Sequence, residues 1–161
     1  MLALTQTSGH AILAASCLNG PDGEFLLTRQ IAVCTGQPRP YLAKIFGSLG
    51  RAGLVEGRKG VHGGFRLRRP PRETSMAQVV EAVEGPQWDA ACLMGLESCS
   101  DERACPLHEE WKRLREQIVE RMRRTSLAEI VEYEHRAGRR ESCPQDSHAT
   151  MGSSEPGNEA R

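Results

Sequence analysis

At 161 residues, the chain has room for one domain, or for one small domain plus an extension. Its formal net charge of zero conceals a split. Residues 1–72 carry ten Lys/Arg against three Asp/Glu, a net of +7, and residues 73–161 carry eleven against eighteen, a net of −7. There is no apolar run long enough for a membrane span and no basic stretch ahead of an apolar one to mark a secretory leader, so a cytosolic chain with reduced thiols is expected. Its six cysteines then read as metal ligands or redox groups sooner than as disulfides.

Ala11, Ile12, Ala15 and Leu18 recur at helical spacing and predict a first helix over 5–19, closed by Asn19-Gly20-Pro21. Asp22-Gly23 is a turn, and Glu24-Phe25-Leu26-Leu27 suits a short strand. Thr28 is expected as the N-cap of a second helix through Ile31, Ala32 and Cys34, closed by Gly36. Gln37-Pro38-Arg39 leads into a third helix over 40–52. Pro40 falls in its first turn and Leu42, Ile45, Phe46 and Leu49 share one face. Two short helices joined this tightly form a helix-turn-helix. The second is expected to expose Tyr41 and Lys44, with Arg39 at its mouth.

Leu54-Val55-Glu56 and Phe65-Arg66-Leu67-Arg68 read as two strands joined through Gly57–Gly64, with the paired glycines at the tip. A basic hairpin directly after a helix-turn-helix is the wing of a winged helix. Its Arg58, Lys59, Arg66, Arg68 and Arg69 suit phosphates or a minor groove. Tyr41 and Lys44 are the candidate base readers. Arg39, Arg58, Lys59 and Arg66 are the phosphate or groove candidates, with His62 at the wing tip. The basic first half suits a polyanionic partner, double-stranded DNA.

Pro70-Pro71 marks a boundary. Ser75 and Gln78 stand at capping-box spacing and predict a helix from 76 through Val79, Val80 and Val83, ended by Gly85-Pro86. A cysteine-bearing loop runs to about 106. Leu107, Trp111, Leu114, Ile118 and Met122 then form the apolar seam of a long helix. The seam suits either the core of the chain or a dimer face, although no other segment is long enough to cover it within one chain. Ser126 and Glu129 open a last helix to about 136. The predicted organisation is a DNA-binding unit over 1–72, a cluster-binding loop with dimerisation helices over 73–137, and a disordered tail over 138–161. The fold class is mainly α with a small β wing.

Within seventeen residues lie Cys92, Cys99, Cys105 and His108. No regular helix or strand gathers these donors, but a loop wrapped around an inorganic centre can, and soft thiolates suit zinc or an iron–sulfur cluster. The intervals are wide for a structural zinc site, which favours iron. A metal-free thiol switch, with Cys92 and Cys99 closing a disulfide, is the third reading. Cys17 and Cys34 fall on apolar helical faces as small core residues, and Cys143 falls in the tail as a free thiol. The sequence offers no Ser/His/Asp set, phosphate loop or carboxylate pair suited to an enzyme. Simple electron carriage would leave the basic wing without a role.

Taken together, these parts resemble the family of winged-helix iron–sulfur regulators that includes IscR, NsrR and RirA. The likeness spans residues 2–136. It rests on Leu4-Thr5, Ile31-Ala32 through Tyr41-Leu42, Leu49-Gly50-Arg51-Ala52-Gly53-Leu54-Val55, Gly60-Val61-His62-Gly63-Gly64-Phe65, and the cysteine loop before a long helix. The resemblance implies a homodimeric transcriptional regulator whose DNA affinity follows a cluster (2Fe–2S favoured, 4Fe–4S possible) that reports redox state, nitric oxide or iron supply. It carries the three ligand cysteines onto Cys92, Cys99 and Cys105. The fourth ligand is His108 in the manner of IscR-like members. His10 stands as the alternative, beside the first-helix position that is a carboxylate in NsrR-like members and Gly9 here.

Overall fold

Thr5 starts the first helix because its hydroxyl accepts the Ser8 backbone N–H at 3.1 Å, satisfying one of the free amides of the first turn. A computed structural model describes residues 4–95 and 99–138. Helix α1 (Gln6–Ser16) carries the centre of the core, with Ala11, Ile12, Ala14 and Ala15 buried and Leu18 just beyond its end. It packs against α2 (Thr28–Thr35), α3 (Arg39–Arg51), α4 (Met76–Glu84) and α6 (Leu127–Arg136). Cys17 is buried and Cys34 packs half-buried against this core, as expected of small apolar side chains.

Helix α2 begins one residue earlier than predicted. Leu27, not Thr28, is the N-cap, and the backbone N–H of Leu27 donates to the Gln30 side-chain oxygen at 2.8 Å. A glutamine reaching back to a free amide replaces the expected threonine cap. Gly36 closes the helix in the left-handed conformation, with φ 66°. Helix α3 then lies with Leu42, Ile45, Phe46 and Leu49 inward.

The wing is an antiparallel pair, β1 (Val55–Arg58) and β2 (Gly64–Leu67), in register from Val55 opposite Leu67 to Arg58 opposite Gly64. β1 therefore reaches two residues further towards the tip than predicted and omits Leu54. The strand expected over 24–27 shrinks to a single bridge. Leu26 and Phe65 exchange N–H···O bonds of 3.0 and 2.9 Å, and no named strand continues on the Leu26 side. That bridge anchors the wing to the chain between α1 and α2, and Phe65 stacks on Phe46 of α3 at 4.4 Å between centroids.

Capping boxes start α4 at Ser75–Gln78 and α6 at Ser126–Glu129, as the sequence indicates. The two starts are also joined. Met76 N–H donates to Thr125 at 2.9 Å and Leu127 N–H donates to Thr74 at 2.8 Å. One core continues across residue 72, taking in Val79, Val80, Met122 and Leu127 beside the residues of α1 and α3.

The apolar seam of α5 (His108–Arg124) divides in a way that the sequence does not reveal. Trp111 and Met122 are buried, together with Val119, whereas Leu107, just before the helix, Leu114 and Ile118 are 51%, 45% and 47% exposed. At about 100° per residue, the inward stripe runs His108, Trp111, Arg115, Val119 and Met122, beside the Leu107–Leu114–Ile118 stripe. Two polar residues on the inward stripe hide it from a reading by hydrophobicity. The predicted tail lies outside the described residues apart from Gly138, and so does Cys143.

Two expectations follow. Gly64 has φ 130°, and a Cβ there would lie 2.1 Å from the Leu26 carbonyl oxygen. Gly64→Ala should therefore break the wing anchor and lower stability by about 1–3 kcal/mol in chemical denaturation. Glu129 accepts the Ser126 backbone N–H and hydroxyl at 2.8 and 3.1 Å, and these bonds, the backbone one foremost, hold its carboxyl below the ordinary range. A depressed folded pKa gives stability that is present above the unfolded value and lost as pH falls through the folded one. Glu129→Ala should destabilise the protein at neutral pH, and urea titrations should show the deficit shrinking below about pH 4.

Candidate metal centre and nucleic-acid interface

The cysteine segment is fastened to α5 at several points. Trp111 Nε1–H donates to the Ala91 carbonyl at 2.9 Å, which holds the neighbouring Cys92 turn against the helix. Cys92 is buried there, 6% exposed. At the other end of the segment the His108 backbone N–H donates to the Cys105 carbonyl at 2.9 Å, so Cys105-Pro106-Leu107-His108 is a turn that delivers His108 as the first residue of α5.

His108 is only 4% exposed, which is unusual for an imidazole at a helix start. Its Nδ1 lies 3.3 Å from Cys99 Sγ and its Nε2 lies 2.8 Å from Asp101 Oδ1. Lys112, one turn further along α5, donates to the same carboxylate at 3.1 and 3.4 Å. The His108 hydrogen bond, then Lys112, hold the Asp101 carboxyl below the ordinary carboxylate range, and Asp101 in turn raises Lys112.

Several features bear on whether an inorganic group fits. Two ligands on one tetrahedral metal stand about 3.5 Å apart at ordinary metal–sulfur and metal–nitrogen lengths, close to the Cys99–His108 separation. A hollow of about 520 Å³ opens beside them, lined by Cys99, Asp101, His108, Lys112 and Arg115 among others. Arg115 Nη1 is buried without a hydrogen-bond partner, and a cationic donor left in that condition suits a neighbouring anionic group. Among the described residues, the donors that fall within 4.8 Å of one another as a set of three are Asp101, His108 and Glu109, not the three thiols. A single zinc ion requires every donor pair within about 4 Å. Donors divided between the irons of a cluster need not converge so tightly. The sulfur and nitrogen donors of Cys99 and His108, side by side and open to this hollow, suit an inorganic group. Lys112 already occupies the Asp101 carboxylate, so that acidic set is no cation site.

His10, the alternative ligand, sits elsewhere in the protomer. Its Nδ1 is 3.3 Å from the Tyr41 hydroxyl and the two rings meet edge-on at 5.7 Å, linking α1 to α3. Tyr41 is consequently half-buried rather than exposed as predicted. Arg39 and Lys44 on α3, and Arg58, Lys59 and His62 on the wing, are exposed. Arg66 differs from them. Its guanidinium bonds Glu56 across the strand pair, donates to the Gly23 carbonyl at 3.2 Å and lies 4.4 Å over the Phe25 ring, so it braces the wing base. Asp101, Lys112 and Arg115 were not singled out by sequence reading. Lys112 and Arg115 have helical spacing from His108, which charged residues on an exposed helix share, and Asp101, in a separate turn before the helix, has no such signal.

A helix-turn-helix followed by a two-stranded basic wing defines a winged-helix DNA-binding protein. The chain matches the family model "Rrf2: Iron-dependent Transcriptional regulator" over residues 4–133. It is 34% identical to the HTH-type transcriptional regulator IscR of Aliivibrio salmonicida over 130 residues, covering 80% of this chain and 76% of that one. It is 32% identical to the IscR of Pectobacterium atrosepticum over 130 residues, covering 80% and 78%. Among solved structures, its fold is similar to CymR, the global cysteine regulator of B. subtilis, with TM-score 0.65, 22% identity and coverage of 83% and 98%. It is also similar in fold to the IscR of T. potens, with TM-score 0.61, 18% identity and coverage of 96% and 94%. The chain belongs to the Rrf2 family and is a DNA-binding transcriptional regulator. Among the described residues, no helix is long and apolar enough to cross a membrane.

Replacing Arg58 and Lys59 with Ala is expected to weaken DNA binding about equally for all sequences. Each lost phosphate contact should reduce the slope of log K against log salt by about 0.9. Arg66→Ala should instead lower the stability of the wing first, seen as earlier proteolysis between β1 and β2 at unchanged salt slope. Fluorescence anisotropy over a salt series separates the two.

Proposed function

We propose that this regulator is a homodimer whose affinity for its operator is set by an iron–sulfur cluster, 2Fe–2S favoured, held by Cys92, Cys99, Cys105 and His108. The observation that carries the proposal is the buried His108 imidazole, set between a cysteine sulfur and a carboxylate. Ligating histidines characteristically have one ring nitrogen on the metal and the other hydrogen-bonded to a carboxylate or carbonyl. The family's description as iron-dependent and the likeness to IscR sequences support the same reading. The sequence intervals between Cys92, Cys99 and Cys105 are wide for a structural zinc ion.

When bound, the cluster supplies a centre that changes charge on reduction and reacts with oxygen or nitric oxide. The rest is done by the chain. Cys92 is tied to α5 through Ala91 and Trp111, Cys105 through the turn into His108, and His108 belongs to α5 itself. A change at these residues therefore bears on the first turns of one helix. That helix is packed along Trp111, Val119 and Met122, and its far end is bonded through Thr125 to the start of α4. Leu107, Leu114 and Ile118 offer the exposed stripe for a second copy. Two recognition helices must stand about 34 Å apart to enter successive major grooves, so a tilt of α5 against its partner alters operator fit.

Anaerobically purified protein should contain iron and acid-labile sulfide, with sulfur-to-iron absorption in the visible. Ser at Cys92, Cys99 or Cys105, or Ala at His108, should reduce occupancy roughly tenfold or more, since a lost ligand costs at least what a lost supporting residue does. Band shifts with loaded and cluster-free protein should give different operator affinities. Equal affinity of both forms for every site tested would end the proposal.

A further inference from the structure

We infer that Asp101, backed by Lys112, is a positioning residue for His108: it fixes the imidazole as the Nε2–H tautomer, so that Nδ1 is the nitrogen presented to the metal group. This deepens the proposed function and rests on it for the identity of that group.

The argument is one of donors and acceptors. An ionised carboxylate only accepts hydrogen bonds. At 2.8 Å from Asp101 Oδ1, His108 Nε2 must therefore be the donor. In a neutral ring, Nδ1 then carries a lone pair, and that lone pair faces Cys99 Sγ at 3.3 Å. Lys112 holds the carboxylate in place by donating to both of its oxygens. Burial of the ring at 4% exposure leaves little room for it to flip. The rival histidine lacks this arrangement, because His10 faces the Tyr41 hydroxyl instead. Asp101 itself is 74% exposed, so it is not placed there by burial of its own, and its partners account for its position.

Two-bond ¹H–¹⁵N correlation spectra of cluster-free protein, with labelled histidine, read the tautomer directly. Wild type should show His108 as Nε2–H. Asp101→Ala should shift the ring substantially towards Nδ1–H, and Asp101→Asn, whose amide oxygen still accepts, should restore most of the wild-type pattern. Lys112→Ala should give an intermediate effect. In anaerobically loaded and reduced protein, ¹⁵Nδ1-labelled histidine should give the strong hyperfine coupling, and Asp101→Ala should lose iron to a chelator about ten- to a hundredfold faster than wild type. An Nδ1–H ring in wild type, an unchanged tautomer in Asp101→Ala, or strong coupling to Nε2 would each overturn the inference. If the tautomer responds as expected but no iron is found in any preparation, the positioning role stands and the cluster reading falls.

Discussion

Trp111, Val119 and Met122 hold α5 against the protein interior, and His108 heads the same stripe. The indole alone serves two purposes, since its ring is packed and its N–H pins the segment carrying Cys92. This arrangement ties Ala91 beside Cys92, and the turn from Cys105 into His108, to one helix. A polar ring in such a stripe is tolerated only because both of its nitrogens find partners. The rest of the molecule depends on that stripe. Without it, the donors would have no common frame and α5 would have no fixed relation to the DNA-reading elements.

The DNA-reading half has its own fastening. Leu26 and Phe65 exchange backbone bonds, Phe65 stacks on Phe46, and Arg66 ties Glu56, Gly23 and the face of Phe25 together. These contacts fix the wing to α3 and to the turn before α2. They also divide the basic residues by role. Arg58, Lys59 and His62 stand exposed on the hairpin, whereas Arg66 is engaged within it. The bonds between the starts of α4 and α6 fasten the end of α5, where Met122 belongs to the same core as Phe46, against which Phe65 of the wing packs.

Local chemistry made much of this legible beforehand. The capping boxes at Ser75 and Ser126 depend on residues three apart, and both stand where the sequence puts them. The inward face of α3 follows from Leu42, Ile45, Phe46 and Leu49 alone. Errors arose where a partner lay elsewhere or a side chain had two uses. Gln30 displaced Thr28 as the source of the α2 cap. The segment 24–27 has strand-like composition but finds only Phe65 to pair with. Tyr41 is expected to be exposed on sequence grounds because nothing in its neighbourhood announces His10, thirty-one residues earlier.

The sequence by itself determined the order of helices and wing and the family resemblance, and it singled out one short cysteine-bearing stretch, because these depend on periodicity, caps and the spacing of neighbours. Tertiary structure decided which side of α5 faces inward, and with it the burial of His108 and of Arg115 Nη1. It also decided that Asp101 and Lys112 stand behind the imidazole. Hydrophobic periodicity cannot reveal a stripe that contains a histidine and an arginine. The bonds that satisfy the histidine come from Cys99 and Asp101, brought to it only when the chain folds back on the helix.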